Sequence, residues 1–213
     1  VSDNLVHKVC KLLNIKSKTR HYKYKKTGEE SIKYSNQICG NWNTTRPFEK
    51  IVSDTTTFWF RKRKYDWTFY LDVFNEIVGY DVRDSMHGNG IINHREALND
   101  MLNNKIKRGY KELETIVHTD QGSVYSSVSF NNIFKSYMVT RSMSRAGTPT
   151  DNPVIESKNG WIKKEMYIDF DINNYNTVQE FIDDIVWDNN NFRPSYALNY
   201  KTPIEYRTQL GFK

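Results

Sequence analysis

The sequence predicts an α/β fold, and three observations point to it. Between residues 51 and 82, three strand-like runs follow one another with only short turns between them. From residue 93 onward, helical patterns alternate with two short apolar runs. Acids also stand inside or at the end of those runs, at Asp54 and Asp120. A carboxylate in such a place is costly unless a metal ion or hydrogen bonds satisfy it.

The composition bounds the reading. The chain has 213 residues, 38% hydrophobic and 26% charged, which suffices for one full domain with smaller attachments and rules out global disorder. A formal charge of +6 suggests an anionic partner, of which nucleic acid is the commonest, although a basic balance alone does not decide it. Cys10 and Cys39 form no CxxC, and His7 with Cys10 lacks a second pair of ligands, so no structural zinc is expected. No apolar run approaches the ~20 residues of a membrane span and no signal peptide opens the chain. The expected location is cytoplasmic, with no membrane partner and free thiols.

In chain order, Ser2 or Asp3 can cap a helix to Leu13, with Leu5, Val9, Leu12 and Leu13 on one stripe. It reads equally well as a terminal helix or as the last helix of a helix-turn-helix. Residues 16 to 26 carry Lys16, Lys18, Arg20, Lys23, Lys25 and Lys26 without an acid, interleaved with Tyr22 and Tyr24. Such a run cannot bury a core; it suits phosphate contacts. Residues 1–26 are therefore expected to be a DNA-binding remnant with a basic arm, and 27–46 a linker. The catalytic core is expected over 47–170, and a helical C-terminal part over 171–213.

Within the core, residues 51–60 alternate so that Val52, Asp54, Thr56 and Phe58 share a face. RKRK at 61–64 makes a turn. Residues 67–74 and 77–82 complete an antiparallel meander, with Asp72 placed to approach the site from behind. A helix is expected over 93–103, strands over 113–117 and 137–141, and a helix over 129–135. After the fourth strand comes His118-Thr-Asp120-Gln-Gly122, a carboxylate at a strand's C-terminal end before a glycine turn, where α/β folds place ligand chemistry. His118 is expected to orient a metal-bound water or a phosphate, against the plainer reading of satisfying buried backbone groups. Asn152 can cap the next helix with Pro153 in its first turn, which sets Asn152, Glu156, Asn159 and Lys163 on one side. Thr177 and Glu180 form a capping box for a helix burying Phe181, Ile185 and Trp187, and a last short helix follows Thr202-Pro203. Three acids, Asp54, Asp120 and Glu156, are what a pair of divalent ions needs at a phosphodiester. Oxygen ligands favour Mg²⁺ or Mn²⁺.

Three blocks then carry a resemblance: HTDQGSVYSS at 118–127, SRAGTPTDNPVIESKNGWIKKE at 144–165 and NFRPSYALNYKTPIEYR at 191–207. They closely resemble blocks of bacterial insertion-sequence transposases of the DDE type, whose catalytic core is similar to that of retroviral integrases. IVSDTTTF and YLDVFNEIVGY look like that family's first strands, and the likeness runs from about Val1 to Arg207, with 35 residues between Asp120 and Glu156. The resemblance implies a ribonuclease-H-like fold, a five-stranded mixed sheet of three antiparallel and two parallel strands flanked by helices. It implies two Mg²⁺ or Mn²⁺ ions on Asp54, Asp120 and Glu156, and DNA contact by Lys163, with Lys164, Asn152 and His118 as further DNA-binding candidates. It implies DNA cleavage at transposon ends and strand transfer, with transposon-end and target duplexes as partners. A homodimer or larger assembly on DNA is implied, in the bacterial nucleoid. The helices that precede such a core are missing from the front, and an upstream reading frame is expected to supply a DNA-binding protein, this chain being the second-frame product. The rival readings are a nuclease of the same fold without strand transfer and an inactive DNA-binding remnant.

Overall fold

The computed structural model describes residues 2–15, 32–87, 90–145 and 148–212. Five strands form one sheet: β1 (Lys50–Phe60), β2 (Arg63–Asp72), β3 (Ile77–Asp84), β4 (Thr115–Thr119) and β5 (Val139–Met143), in the order β3-β2-β1-β4-β5. The first three pair antiparallel, while β4 and β5 join in parallel. The parallel pairs need crossovers. The crossover from the meander to β4 carries α2 (Gly90–Lys107), and that from β4 to β5 carries the single turn α3 (Val128–Asn131) and a short 3₁₀ segment. This is the ribonuclease-H-like arrangement, with helices on both faces.

Alternation along the strands divides the core into two layers. Val52, Trp67, Phe69 and Leu71 pack with Ile155 and Ile162 of α4 (Pro153–Glu165) and Phe181, Ile182 and Ile185 of α5 (Val178–Asn191). Ile51, Tyr70, Val78 and Val117 face the other way, onto Ala97, Leu98, Met101 and Leu102 of α2 and onto Phe130 and Phe134. Gly79 sets how closely α2 lies on β3, because a Cβ there would come within 2.3 Å of the Met101 backbone nitrogen. α5 opens on the expected capping box of Thr177 and Glu180, and α6 (Pro203–Gln209) opens on a second one, Thr202 with Glu205. The first helix, α1 (Asp3–Leu12), leaves Leu5, Leu12 and Leu13 exposed, and Ser2 caps it without a side-chain bond.

Several expectations change. β4 begins and ends two residues later than its apolar run, since pairing with Lys50–Val52 on one side and β5 on the other draws His118 into the strand. Only Arg61 and Lys62 turn the first hairpin, with Arg61 at φ 54°, and Lys64 already pairs with Trp59. Trp187 is 54% exposed and packs on Phe192 rather than entering the core. Of the stretch expected as a linker, residues 32–46 lie against the domain: Ile38 is buried and the Gln37 backbone N–H donates to Ser142 Oγ at 2.9 Å. The basic run with Lys16, Lys18, Arg20, Lys23, Lys25 and Lys26 lies outside the described residues.

Candidate active site

The sheet register brings the first two acids together. Val52 of β1 pairs with His118 of β4 in parallel. Asp54 and Asp120 each stand two residues further on, so they project from neighbouring chains, which in a sheet run ~4.8 Å apart, toward the same face. α4 crosses that face, held by Ile155 and Ile162 in the core beneath it. Its next stripe carries Glu156 into the same place. Asp54, Asp120 and Glu156 line one open cleft of about 230 Å³, together with Asn152, Arg145 and Thr148.

Asp54 is the most enclosed of the three. Burial pushes its carboxyl above the usual range, and the nearby Asp120 charge adds to this, while the Thr55 N–H, Lys163 and Asn159 pull the other way. Asn159 Nδ2 donates to Asp54 Oδ2 at 2.6 Å, and the Thr55 backbone N–H donates to Oδ1 at 2.8 Å. Asp120 Oδ1 accepts the Gly122 N–H at 2.8 Å. A Cβ on residue 122 would lie 2.9 Å from that oxygen, so the glycine leaves room for the carboxylate. Glu156 is exposed in the first turn of α4.

The acids share the cleft without closing on one another. Among the described residues, no three of the His, Cys, Asp and Glu side chains are drawn tightly enough to hold a metal ion as they stand. Like charges repel, and hydrogen bonds to Asn159, Thr55 and Gly122 hold two of the acids in the meantime. The donor chemistry nevertheless fits a hard cation. The cleft offers three carboxylates, and the Asn152 and Asn159 Oδ1 atoms beside them are buried with no hydrogen-bond partner. An orphaned buried acceptor is costly, and a hard cation or its water shell would relieve it.

Other expected residues fall into place or out of it. Lys163 is exposed on the acid side of α4, close enough to act on Asp54. Lys164 stands over the Trp161 ring at 5.8 Å. Asn152 occupies the cap position but makes no capping bond with its side chain, which instead lines the cleft.

His118 is corrected. It is fully buried, with Nδ1 on Ser142 Oγ at 2.7 Å and Nε2 on Ser144 Oγ at 3.0 Å. Burial holds its pKa down at about 4, and Trp42 packs edge-on against the ring. Both ring nitrogens are used and no DNA can reach them, so His118 ties β4 to β5. Asp72 is corrected too: it sits at the far end of β2, paired with Ile51, and accepts the Phe48 and Phe74 N–H groups at 2.6 and 2.8 Å.

Two contributors went unassigned from sequence. Asn159 shares the Glu156 stripe, as the helical spacing predicts, but that spacing alone did not assign its bond to Asp54. Arg145 grips Asp151 through Nε and a terminal guanidinium nitrogen, each at 2.9 Å, and its backbone N–H adds a third bond of 2.9 Å. That grip holds the Asp151 carboxyl well below the usual range and pins both ends of the loop bordering the cleft. Nothing in the spacing of Arg145 and Asp151 announced it.

The chain matches two integrase core domain families, over residues 44–149 and 137–203. It is 28% identical over 98% of its length to the Escherichia coli protein named as transposase InsK for insertion sequence element IS150, covering 72% of that protein. It is 27% identical to the transposase for insertion sequence element IS904 of Lactococcus lactis, over 94% of this chain and 78% of that one. The fold is similar to a chain of the simian T-cell lymphotropic virus intasome, with a TM-score of 0.62 and 16% identity over 85% of this chain and 60% of that one. It is also similar to the HTLV-2 integrase catalytic core domain solved in complex with magnesium, with a TM-score of 0.55 and 17% identity over 76% of this chain and 97% of that one.

Proposed function

This chain belongs to the bacterial insertion-sequence transposases built on an integrase-like core, and from that premise we propose that it cuts DNA at transposon ends and joins the freed ends to a new site. The observation that carries the proposal is the meeting of Asp54, Asp120 and Glu156 in one cleft from three separate elements.

Asp54, Asp120 and Glu156 would hold divalent ions, Mg²⁺ or Mn²⁺, as two-ion phosphodiester chemistry requires. Bound there, the ions supply Lewis acidity at the phosphoryl group and charge for the leaving oxygen. The chain's own residues prepare the site. Asn159 and the Thr55 N–H fix the orientation of Asp54. Gly122 gives Asp120 its room and one backbone donor. Lys163 offers a cation to a DNA phosphate beside the acids. In the first reaction a water oxygen bonds to phosphorus, the P–O3′ bond breaks, and a 3′-hydroxyl is freed. In the second that hydroxyl bonds to a target phosphorus and the target's P–O3′ bond breaks, so the number of phosphodiesters is kept. The DNA partners are transposon-end and target duplexes, and strand joining needs two ends, which favours a dimer or larger assembly on DNA. Lys164 and Asn152 are further DNA contacts in this reading, as is the basic arm.

The test is a strand-transfer assay on candidate end sequences with Mg²⁺, with and without chelator, for the wild type and Asp120→Asn. The expected result is joined product with Mg²⁺ alone, lost in the variant while DNA binding persists. Asp120→Asn cutting at the wild-type rate would overturn the assignment. Nicked but never joined DNA would mark a nuclease of the same fold instead.

A further inference from the structure

α4 has a second wet flank. Val154, Ser157, Lys158 and Trp161 recur at three- and four-residue spacings, and at 3.6 residues per turn they point away from the stripe of Glu156, Asn159 and Lys163. They form one wall of a groove of about 960 Å³, closed on its other side by residues 193–200, that shares no residue with the acid cleft.

Three features of this groove stand together. Its lining carries cations and no acid: Lys158 and Arg193 line it, no carboxylate is among the described residues that do, and Glu165, which pairs with Arg193, stands outside the lining. Lys158 is nine-tenths buried, with Asn189 Oδ1 as the acceptor on its ammonium. Burial and the nearby Arg193 lower its pKa to about 7, so an arriving anion would restore a full charge there. Large rings also stand exposed at the rim: Trp161 is 55% exposed, Tyr196 81% and Tyr200 73%, the two tyrosines edge to face with centroids 5.6 Å apart. The Arg193 guanidinium lies 5.6 Å from the Trp161 ring. Finally, the tyrosines are held out by a braced loop. The Ser195 N–H bonds to Lys201 O at 2.9 Å and the Tyr200 N–H to Ser195 O at 2.9 Å, with Asn199 and Tyr200 both left-handed at φ 55° and 59°. A bulky residue at positive φ is strained, and strain of that kind concentrates where a side chain must be presented.

We propose that this groove binds a DNA strand with unpaired bases, phosphates on Lys158 and Arg193 and bases stacked on Tyr196, Tyr200 and Trp161. The choice of an unpaired strand follows from the rings, since only an unstacked base offers an open face to a tyrosine. The absence of carboxylates among the lining residues suits a polyanion and opposes a basic peptide. This inference rests on the reading that the acid cleft handles DNA, because a strand leaving those acids need only cross α4, ~10 Å wide, to enter the groove.

The test is fluorescence anisotropy with labelled DNA in chelator, on the chain carrying Asp120→Asn, so that neither metal nor cleavage enters. Three probes of equal length are compared: an oligothymidine, an abasic strand and a blunt duplex. The oligothymidine is expected to bind at least about tenfold tighter than the abasic strand, as stacking on two rings should give. Adding Tyr196→Ala and Tyr200→Ala should remove that preference and leave abasic and duplex affinities within about twofold, which also shows that the variant is folded. Equal binding of thymidine and abasic strands, or a preference that survives the substitutions, would overturn the groove. A dimer lost in the same variant, without any base preference, would assign the surface to a second copy instead. Either failure leaves the strand-transfer result standing.

Discussion

Two groups of acids, one at the β2–β3 turn and one gathered about Asp54 within β1, have met opposite fates. Glu76 is almost fully buried, yet Arg207 reaches its two oxygens at 2.7 and 2.6 Å and Arg108 adds a contact of 2.8 Å. Asp72 beside it accepts two backbone N–H groups, and burial raises its pKa to about 7. The protein completes these acids from its own chain, and they fasten α6 and the Phe48 and Phe74 segments to the sheet. Among the described residues Asp54, Asp120 and Glu156 pair with no arginine; they line an open cleft and have orphaned asparagine oxygens for neighbours. What separates a structural from a functional carboxylate here is who supplies the counter-charge: the fold in one case, something from solution in the other.

The comparison breaks most sharply at Asp54. Asp54→Asn is expected to cut cleavage by about 10³-fold or more, because loss of an ion ligand forfeits several kcal/mol of transition-state stabilisation. The same change should raise the melting temperature in metal-free buffer, since it removes a buried charge repelled by Asp120. Asn159 can turn its amide and use the Oδ1 that now lacks a partner. Adding Mg²⁺ should erase that gain by stabilising only the wild type. Parallel melting curves and cleavage assays check both halves; a variant less stable without metal would mean that Asp54 is a structural acid like Glu76.

Glu76→Gln is the converse. It leaves Arg207 and Arg108 facing a neutral group in a buried place, which typically costs about 3–5 kcal/mol. Urea denaturation should show that loss, with cleavage by the remaining folded fraction unchanged. A smaller step is Asn159→Ala. Deleting a group that orients an ion ligand usually costs about 10–100-fold in affinity or activity. A Mg²⁺ titration of cleavage should therefore move to higher concentration, with folding stability nearly unaltered.

How much of this could be read beforehand follows the same division. The strands, α4 and the two capped C-terminal helices were legible because each rests on local periodicity or local capping chemistry. Asp54 and Asp120 stood out because each breaks a local pattern; Glu156, on an ordinary helix stripe, was singled out only through them and the family resemblance. The Glu76–Arg207 pair, 131 residues apart, was not, because nothing at either position signals a partner so distant. The groove beside α4 was hidden for the same reason. Trp161 and Tyr196 read as ordinary aromatics until the fold sets them on one rim.

His118 shows where motif reading fails, and it gives the smallest and most specific prediction. In the string HTDQG the histidine, two residues before Asp120, looks like its partner, yet the ring is held between Ser142 and Ser144 against Trp42. The ring is buried and neutral, with a pKa of about 4 against an ordinary 6.5. Its contribution is therefore complete above pH 6.5. It declines as pH falls toward 4, because the unfolded chain takes up a proton that the folded chain refuses. His118→Gln should cost about 1–3 kcal/mol at pH 7.5, for two weakened bonds to Ser142 and Ser144. That cost should shrink at pH 4.5, where the wild type has lost its advantage. Denaturation at both values, with duplex binding measured alongside, decides it. A penalty independent of pH, or a variant that folds normally but loses DNA, would return His118 to the active site.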